Sequence, residues 1–127
     1  MINLIRLTIC IGVAFTLTSC IFFKQTMSTT EVNSTLPTLT SSQFISQVEA
    51  NEAVNTNKCR FLVKGRKYTA GIGYIAKEDL KNGAMGIDQW VEIDGGNAYA
   101  LKSFKWAIVN ENNTRQLTLE FDTLLCD

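Results

Sequence analysis

The 127-residue sequence contains no histidine. This absence removes imidazole as a metal ligand, a general base or a pH switch, and it excludes mechanisms built on Ser-His or Cys-His pairs. Charge of either sign is also scarce, because charged residues make up 19% of the chain and the formal net charge is zero. A chain without a positive field gives no electrostatic basis for binding nucleic acid, so we expect no nucleic-acid partner.

The first 20 residues are dominated by an apolar segment. Residues 1–6 carry one positive charge, residues 7–17 are mostly apolar, and the small residues Thr18 and Ser19 precede Cys20. A charged start, an apolar centre and small side chains at a cleavage site are the layout of a secretory signal. We therefore predict that residues 1–19 are a cleaved signal peptide.

The end of this segment, Leu17-Thr18-Ser19-Cys20, resembles a bacterial lipobox. The resemblance implies a lipoprotein precursor: a diacylglyceryl thioether on Cys20, cleavage before it, and an acylated new N-terminus. Several acyl chains on one residue exceed what stable membrane anchoring requires. Ile21, rather than Asp, follows Cys20, and by resemblance to the sorting pattern of enteric bacteria this favours the outer membrane.

Two alternatives to the lipoprotein stay open. One is an ordinary cleaved signal, which leaves a soluble secreted protein. The other is an uncleaved anchor, because residues 21–23 extend the apolar run to 17 residues, the short edge of what spans a bilayer core of about 30 Å. The position of the small residues before Cys20 favours the lipoprotein.

Removing residues 1–19 takes away one of 12 basic residues, Arg6, and none of the 12 acidic ones, so the mature net charge is −1. After the lipidated Cys20, ten of the 18 residues from 25 to 42 are Ser or Thr, and the single proline lies there. Such a composition buries too little apolar surface to offset its ordering entropy. The sequence therefore predicts a disordered tether over 20–42 and one folded domain over 43–127.

The domain is predicted to begin with a helix and continue with strands. Phe44, Ile45 and Val48 share one helical face, Ser41 or Ser42 can cap it, and residues 55–57 end it. Alternating apolar residues predict strands over 59–63 and 68–74, separated at Gly65-Arg66. Residues 78–87 favour a short helix, although its two glycines each cost about 1 kcal/mol.

The last 40 residues predict an antiparallel meander. Residues 89–93 and 98–109 read as a hairpin around the turn 94–97, and a second turn over 110–114 leads to a last strand over 115–125. The fold class is thus α+β: a small antiparallel sheet of four to five strands with an N-terminal helix packed on it. The expected core lies on two of these strands: Phe104, Trp106, Ile108, Leu117, Leu119 and Phe121.

The cysteines predict one disulfide. Of the four, Cys10 leaves with the signal and Cys20 carries lipid, so Cys59 and Cys126 remain to pair in an oxidising compartment. Their positions conflict, since Cys59 alternates with apolar residues whereas Cys126 shares its face with Glu120 and Asp122. We therefore expect a bulge or bend near 123–125, or a bridge beyond the end of the strand.

Acidic residues form two clusters that suggest chemistry. One set, Asp88, Glu92, Asp94 and Asn97, offers oxygen ligands, but its spacing matches no calcium loop, so we expect solvated turn residues, no metal and no cofactor. Glu120 and Asp122 resemble a glycosidase carboxylate pair. Such enzymes place their carboxylates across a cleft, and this domain is small for one.

A basic run without any acid is the clearest charge feature and the candidate binding surface: Lys58, Arg60, Lys64, Arg66 and Lys67. On a strand it also fits a plain solvated face. A second candidate is an aromatic platform for sugar rings or a protein, although in a small domain most of these rings belong in the core: Tyr68, Tyr74, Tyr99, Trp90 and Trp106.

These features favour an envelope-anchored lipoprotein that acts as a non-catalytic binding or structural module. Its partners would be the membrane, through the lipid, and an envelope protein, a polysaccharide, or a host or phage factor. One alternative is a small envelope hydrolase that uses Glu120 and Asp122, or Asp88 and Glu92. Another is a lysozyme-inhibitor-like lipoprotein, whose general build is similar although no segment here matches the inhibitory loop.

Overall fold

The computed structural model describes residues 26–73, 75–108 and 115–127. The elements in chain order are α1 (Thr29–Leu39), β1 (Gln43–Ile45), α2 (Gln47–Asn55), β2 (Cys59–Gly73), α3 (Ala76–Ile93), β3 (Ala98–Ile108) and β4 (Arg115–Cys126). Helices and one four-stranded sheet confirm the predicted α+β class. The signal segment and Cys20 lie outside the described residues.

The sheet is mixed, with strand order β1-β3-β4-β2. β3–β4 and β4–β2 are antiparallel, and β1 runs parallel to β3. Phe44 fixes this short strand, because its ring meets the Tyr99 ring edge-on at 5.5 Å between centroids. The predicted antiparallel pairing is therefore correct for the three long strands, whereas Phe44 and Ile45, predicted in the first helix, form the short parallel strand β1.

Two helices pack on one face of the sheet, and one helix packs at one end of the other face. Helices α1 and α3 pack on the first face around Leu117, Leu119 and Phe121, all fully buried. Helix α2 packs on the second face, where Ala50 meets a small apolar cluster with Leu124. Most of the second face is left without a helix among the described residues.

Helix α1 corrects the predicted tether, because disorder over 25–42 is wrong for Thr29–Leu39. The helix begins with a capping box: the Glu31 main-chain N–H donates to Ser28 Oγ at 3.2 Å, and the Ser28 N–H donates to Glu31 Oε1 at 3.0 Å. Val32 and Leu36, four residues apart on one face, are fully buried. Two well-placed apolar residues therefore outweigh a composition typical of disorder.

Helix α2 confirms a helix in this part of the domain but not its start. Ser46, rather than Ser41 or Ser42, is the N-cap, since Ser46 Oγ accepts from the Glu49 N–H at 3.1 Å. Val48, expected on the packed face, is 75% exposed. The predicted end is confirmed, with Thr56 as C-cap.

Strand β2 is one long strand rather than two. Gly65 adopts a positive φ of 76° inside the strand, and the register with β4 shifts between Val63 and Arg66. The glycine therefore forms an irregularity of the bulge type, in which the strand bends and continues, instead of the predicted break.

Helix α3 is longer than predicted and corrects the first hairpin. Residues 89–93 are its last turns, because the buried residues Leu80, Ala84, Ile87 and Val91 keep helical spacing to that point. The turn 94–97 thus joins a helix to β3. Gly83 lets the helix approach the sheet, since a Cβ there would lie 2.5 Å from Leu119 Cδ1.

The C-terminal strands match the prediction. β3 and β4 pair antiparallel over most of their length, and Phe104 and Trp106 pack half-buried against the core that Leu117, Leu119 and Phe121 form. The predicted turn over 110–114 lies outside the described residues, as do Tyr74 and the Ile108 side chain.

No helix among the described residues is both long enough and apolar enough to cross a membrane.

Candidate functional site

The predicted disulfide is present between Cys59 and Cys126, with sulfur atoms 2.09 Å apart. The cysteines face each other in the β2–β4 register, which runs unshifted to the pair Phe61–Leu124. The register then shifts between Phe61 and Val63, opposite Leu124 and Thr123. The irregularity expected near 123–125 is therefore present, but its additional residue lies on β2, and the alternation of side chains along β4 is unchanged. Cys126 does share a face with Glu120 and Asp122, but α2 covers that face from Leu124 onward and buries it.

Asn97 closes the loop after α3 against the end of β4. Its Nδ2 donates to the Cys126 carbonyl at 2.7 Å, and its Oδ1 accepts from the Cys126 N–H at 2.8 Å. A Cβ at Gly96 would overlap the Leu124 carbonyl oxygen, so only glycine fits there. These contacts hold the turn 94–97 against the end of β4, beside the disulfide.

Asp94 pairs with Arg66 from the predicted basic run. Arg66 Nε donates to Oδ2 at 3.1 Å and Nη2 donates to Oδ1 at 2.5 Å, while the Thr123 hydroxyl donates to Oδ2 at 2.8 Å. The Arg66 hydrogen bond is the main cause that holds the pKa of Asp94 below its usual value, against the opposing effect of burial. Because the guanidinium also lies 3.8 Å from the Trp90 ring centroid, Arg66 faces α3 and leaves the binding surface that the sequence predicts.

Asp88 holds the connection between α1 and β1. Its carboxylate accepts from the Ser41 N–H at 2.7 Å, the Ser42 N–H at 3.0 Å and Ser42 Oγ at 2.5 Å. Beside it, the Tyr99 hydroxyl lies 3.0 Å from Thr40 Oγ1, and burial raises the pKa of Tyr99 above its usual value. The predicted oxygen cluster is thus divided between separate structural contacts.

Glu120 and Asp122, the second acidic pair, have different surroundings. Asp122 is 2% exposed, and its Oδ1 accepts from the Gly65 N–H at 2.8 Å, which stabilises the irregular turn of β2. Glu120 Oε2 lies 4.0 Å from Lys102 Nζ at the surface. Over the described residues, no group of three or more His, Cys, Asp or Glu side chains is placed to hold a metal.

A cleft of about 380 Å³ lies beside the disulfide, between α2 and the ends of β1 and β2. Glu49, Glu52 and Lys58 line it. The two glutamates are exposed neighbours on one helix, three residues apart, and Glu49 Oε1 also accepts from the Ser46 N–H at 3.2 Å. They therefore stand side by side rather than facing each other across the cleft.

The face of the sheet beyond α2 carries a set of lysines. Two rows of side chains cross this face from β2 through β4 to β3. The first row is Lys67, Glu120 and Ser103. The second row is Thr69, Thr118 and Lys105, with the two threonine hydroxyls 3.1 Å apart. Lys64 Nζ lies 4.3 Å from the centroid of the Phe61 ring on the same face. We define the lysine face as the four exposed lysines Lys64, Lys67, Lys102 and Lys105.

Part of this surface was predicted and part was missed. Lys64 and Lys67 belong to the predicted basic run, whereas Lys58 and Arg60 lie at the disulfide end of β2. Lys102 and Lys105 come from β3, about 40 residues later in the chain. The alternation of Ser103 and Lys105 with Phe104 and Trp106 was the available signal, but only the sheet order brings these lysines beside those of β2.

Comparisons with known proteins add no family to this description. No family model matches the chain, and neither a curated protein nor a solved structure does.

Proposed function

We propose that this protein is an envelope-anchored lipoprotein whose folded domain is a non-catalytic binding module, with the lysine face as its binding surface. The observation that carries the proposal is the concentration of four exposed lysines on a helix-free part of the sheet. The lipobox-like end of the apolar segment supports the anchor. Thr26, the first described residue, follows Cys20 by only six positions, so the folded domain begins close to the proposed lipid.

The lysine face suits an extended anionic ligand. Neighbouring strands lie about 4.8 Å apart, so Lys67 on β2 and Lys105 on β3 are separated laterally by about 10 Å. Lysine ammonium groups act as mobile point charges with three donors each, which suits several phosphate, sulfate or carboxylate groups without a fixed geometry. The hydroxyls of Ser103, Thr69 and Thr118 lie between them as further hydrogen-bonding groups.

The use of the acidic side chains also supports binding over hydrolysis. Asp88, Asp94 and Asp122 each accept hydrogen bonds that hold a loop, an arginine or a bulge. A hydrolase needs carboxylates aimed at one substrate position. Carboxylates engaged in these contacts are poorly placed to act as a general acid and base.

A polyanion-binding measurement tests the proposal. The double variant Lys67→Gln/Lys105→Gln and the control Lys77→Gln/Lys81→Gln each lose two positive charges from exposed lysines. The first pair lies on the lysine face and the control pair lies on α3. On immobilised dextran sulfate, the processed protein in detergent should elute at higher salt than the lysine-face variant and at nearly the same salt as the control. Equal elution of the two variants would contradict a binding role for this face.

A further inference from the structure

We propose that the lysine face docks on the anionic phospholipid headgroups of the membrane that holds the acyl anchor. The inference rests on the proposed lipid anchor and names the ligand of its binding surface. Three observations support it: the position of the start of α1, the short stretch of chain between Cys20 and the folded domain, and the distribution of charged side chains on the surface.

Helix α1 packs on the opposite face of the sheet, but its first turns reach the β3 edge close to one residue of the lysine face, Lys102. Thr29 and Asn33, in the first turns of α1, line a cavity of about 370 Å³ together with Lys102 and Ser103 of β3. The cavity thus joins the start of α1 to the edge of the sheet that carries two of the four lysines. A lipid at the N-terminal end of the chain therefore pulls this edge toward the bilayer.

Covalent geometry limits the distance to the anchor. Thr26 follows Cys20 by six positions. A fully extended chain spans at most about 3.5 Å per residue, which gives a reach of about 20 Å. Lys24, inside this connection, adds a further positive charge close to the lipid. The lysine face is thus held near the headgroups, and tethering replaces a bimolecular encounter with an intramolecular one.

The charge distribution selects one orientation. The lysine face carries four cations against the half-buried Glu120, whereas α2 carries the exposed acids Glu49 and Glu52 and no cation. On α3 the exposed acids are balanced by exposed cations: Glu78 and Glu92 with Lys77 and Lys81. An anionic leaflet therefore attracts the lysine face, repels α2 and has little net attraction for α3. Each lysine near such a surface strengthens the contact by about fivefold.

Lysine footprinting on vesicles tests the docking. The processed, acylated protein is reconstituted into phosphatidylcholine vesicles with or without about one-third phosphatidylglycerol, treated with a membrane-impermeant amine-acylating reagent, and analysed by mass spectrometry. We expect Lys67, Lys102 and Lys105 to react several-fold more slowly on the anionic vesicles, with Lys77 and Lys81 unchanged. The protection should disappear in 1 M NaCl, where charges are screened within about 3 Å.

A variant distinguishes the lipid from other partners. In Lys102→Gln/Lys105→Gln, the reactivity of Lys67 on anionic vesicles should rise toward its value on phosphatidylcholine, whereas Lys77→Gln/Lys81→Gln should leave it protected.

Equal reactivity of the parent lysines on both vesicle types, with the protein retained on the vesicles, overturns the docking and leaves the lipid anchor standing. If the lysines are equally protected on vesicles of pure phosphatidylcholine, a second copy of the chain or another protein surface covers them, and the docking proposal is also overturned. A protein without acyl chains that washes off both vesicles contradicts the anchor itself.

Discussion

Asp122 accepts a hydrogen bond from the Gly65 main chain, and Asn97 pairs with the Cys126 main chain. Asp122 supports the irregular backbone at Gly65, and Asn97 holds the turn after α3 against the end of β4. The residue types could be recognised from the sequence, but their partners could not, because Asp122 and Gly65 are 57 residues apart. Acids that resembled ligands or catalytic groups in the sequence therefore act as supports.

Gly86 tests the close contact between α3 and the sheet. A Cβ at this position would overlap the Tyr68 ring, so we expect Gly86→Ala to destabilise the domain by about 1–3 kcal/mol. This net loss already includes the gain of about 1 kcal/mol in helix propensity that alanine brings, because the cost of the overlap is larger than that gain. Urea unfolding measures the change, with Asn82→Ala at an exposed position of the same helix as the control. A Gly86→Ala variant more stable than the parent would show that the contact is loose.

Asp94 predicts a dependence of stability on pH. Since its folded pKa lies below the unfolded value of about 3.9, its contribution is present above that pH and is lost as pH falls through the folded pKa. Asp94→Asn should therefore be less stable than the parent at pH 7, and the difference should shrink below about pH 4. Urea midpoints at pH 7 and pH 3 measure this, with the exposed neighbour Glu92→Gln as the control. A difference that persists undiminished at pH 3 would exclude an ionic role for Asp94.

Among the elements, those with strong periodicity were predictable and those decided by distant contacts were not. β3 and β4 agree with the sequence because their apolar alternation is regular and one face is buried. α1 was missed because few apolar residues anchor it, the buried Val32 and Leu36 and the half-buried Leu39, within a segment rich in Ser and Thr. The sequence predicts a strand over residues 89–93, because their apolar residues fit the two-residue period of a strand as well as the 3.6-residue period of a helix. Packing of Val91 in the core decides for the helix.

The disulfide ties β2 to β4 and closes a loop of 68 residues counting both cysteines, one more than their separation of 67. The chain-entropy estimate for such a loop is about 4 kcal/mol. We expect Cys59→Ser/Cys126→Ser to lose about this much free energy of unfolding in urea titrations, and reduction of the parent to reproduce the loss.

Thiol titration provides a measurement that does not depend on the variant folding. The exported, processed parent, denatured without reductant, should show no reactive thiols, and two after reduction. Two thiols before reduction, or a serine variant as stable as the parent, would contradict a stabilising bridge.

At the scale of the whole molecule, the two faces of the sheet have different roles. One face carries the core between the sheet and α1 and α3, and the other is covered by α2 only at the disulfide end. The uncovered remainder holds the lysine face. The sequence indicated the basic residues of β2, but their position beside Lys102 and Lys105 follows only from the strand order.

Metabolic labelling with a radioactive fatty acid in a bacterial host, followed by membrane fractionation, tests the lipid anchor directly. The parent and Cys10→Ala should incorporate label and sediment with membranes, because Cys10 lies within the apolar segment and precedes the cleavage site. Cys20→Ala should incorporate no label and accumulate as unprocessed precursor or in the soluble fraction. An unlabelled parent, with Cys20→Ala bound to membranes as firmly as the parent, would contradict the lipoprotein and favour an uncleaved anchor.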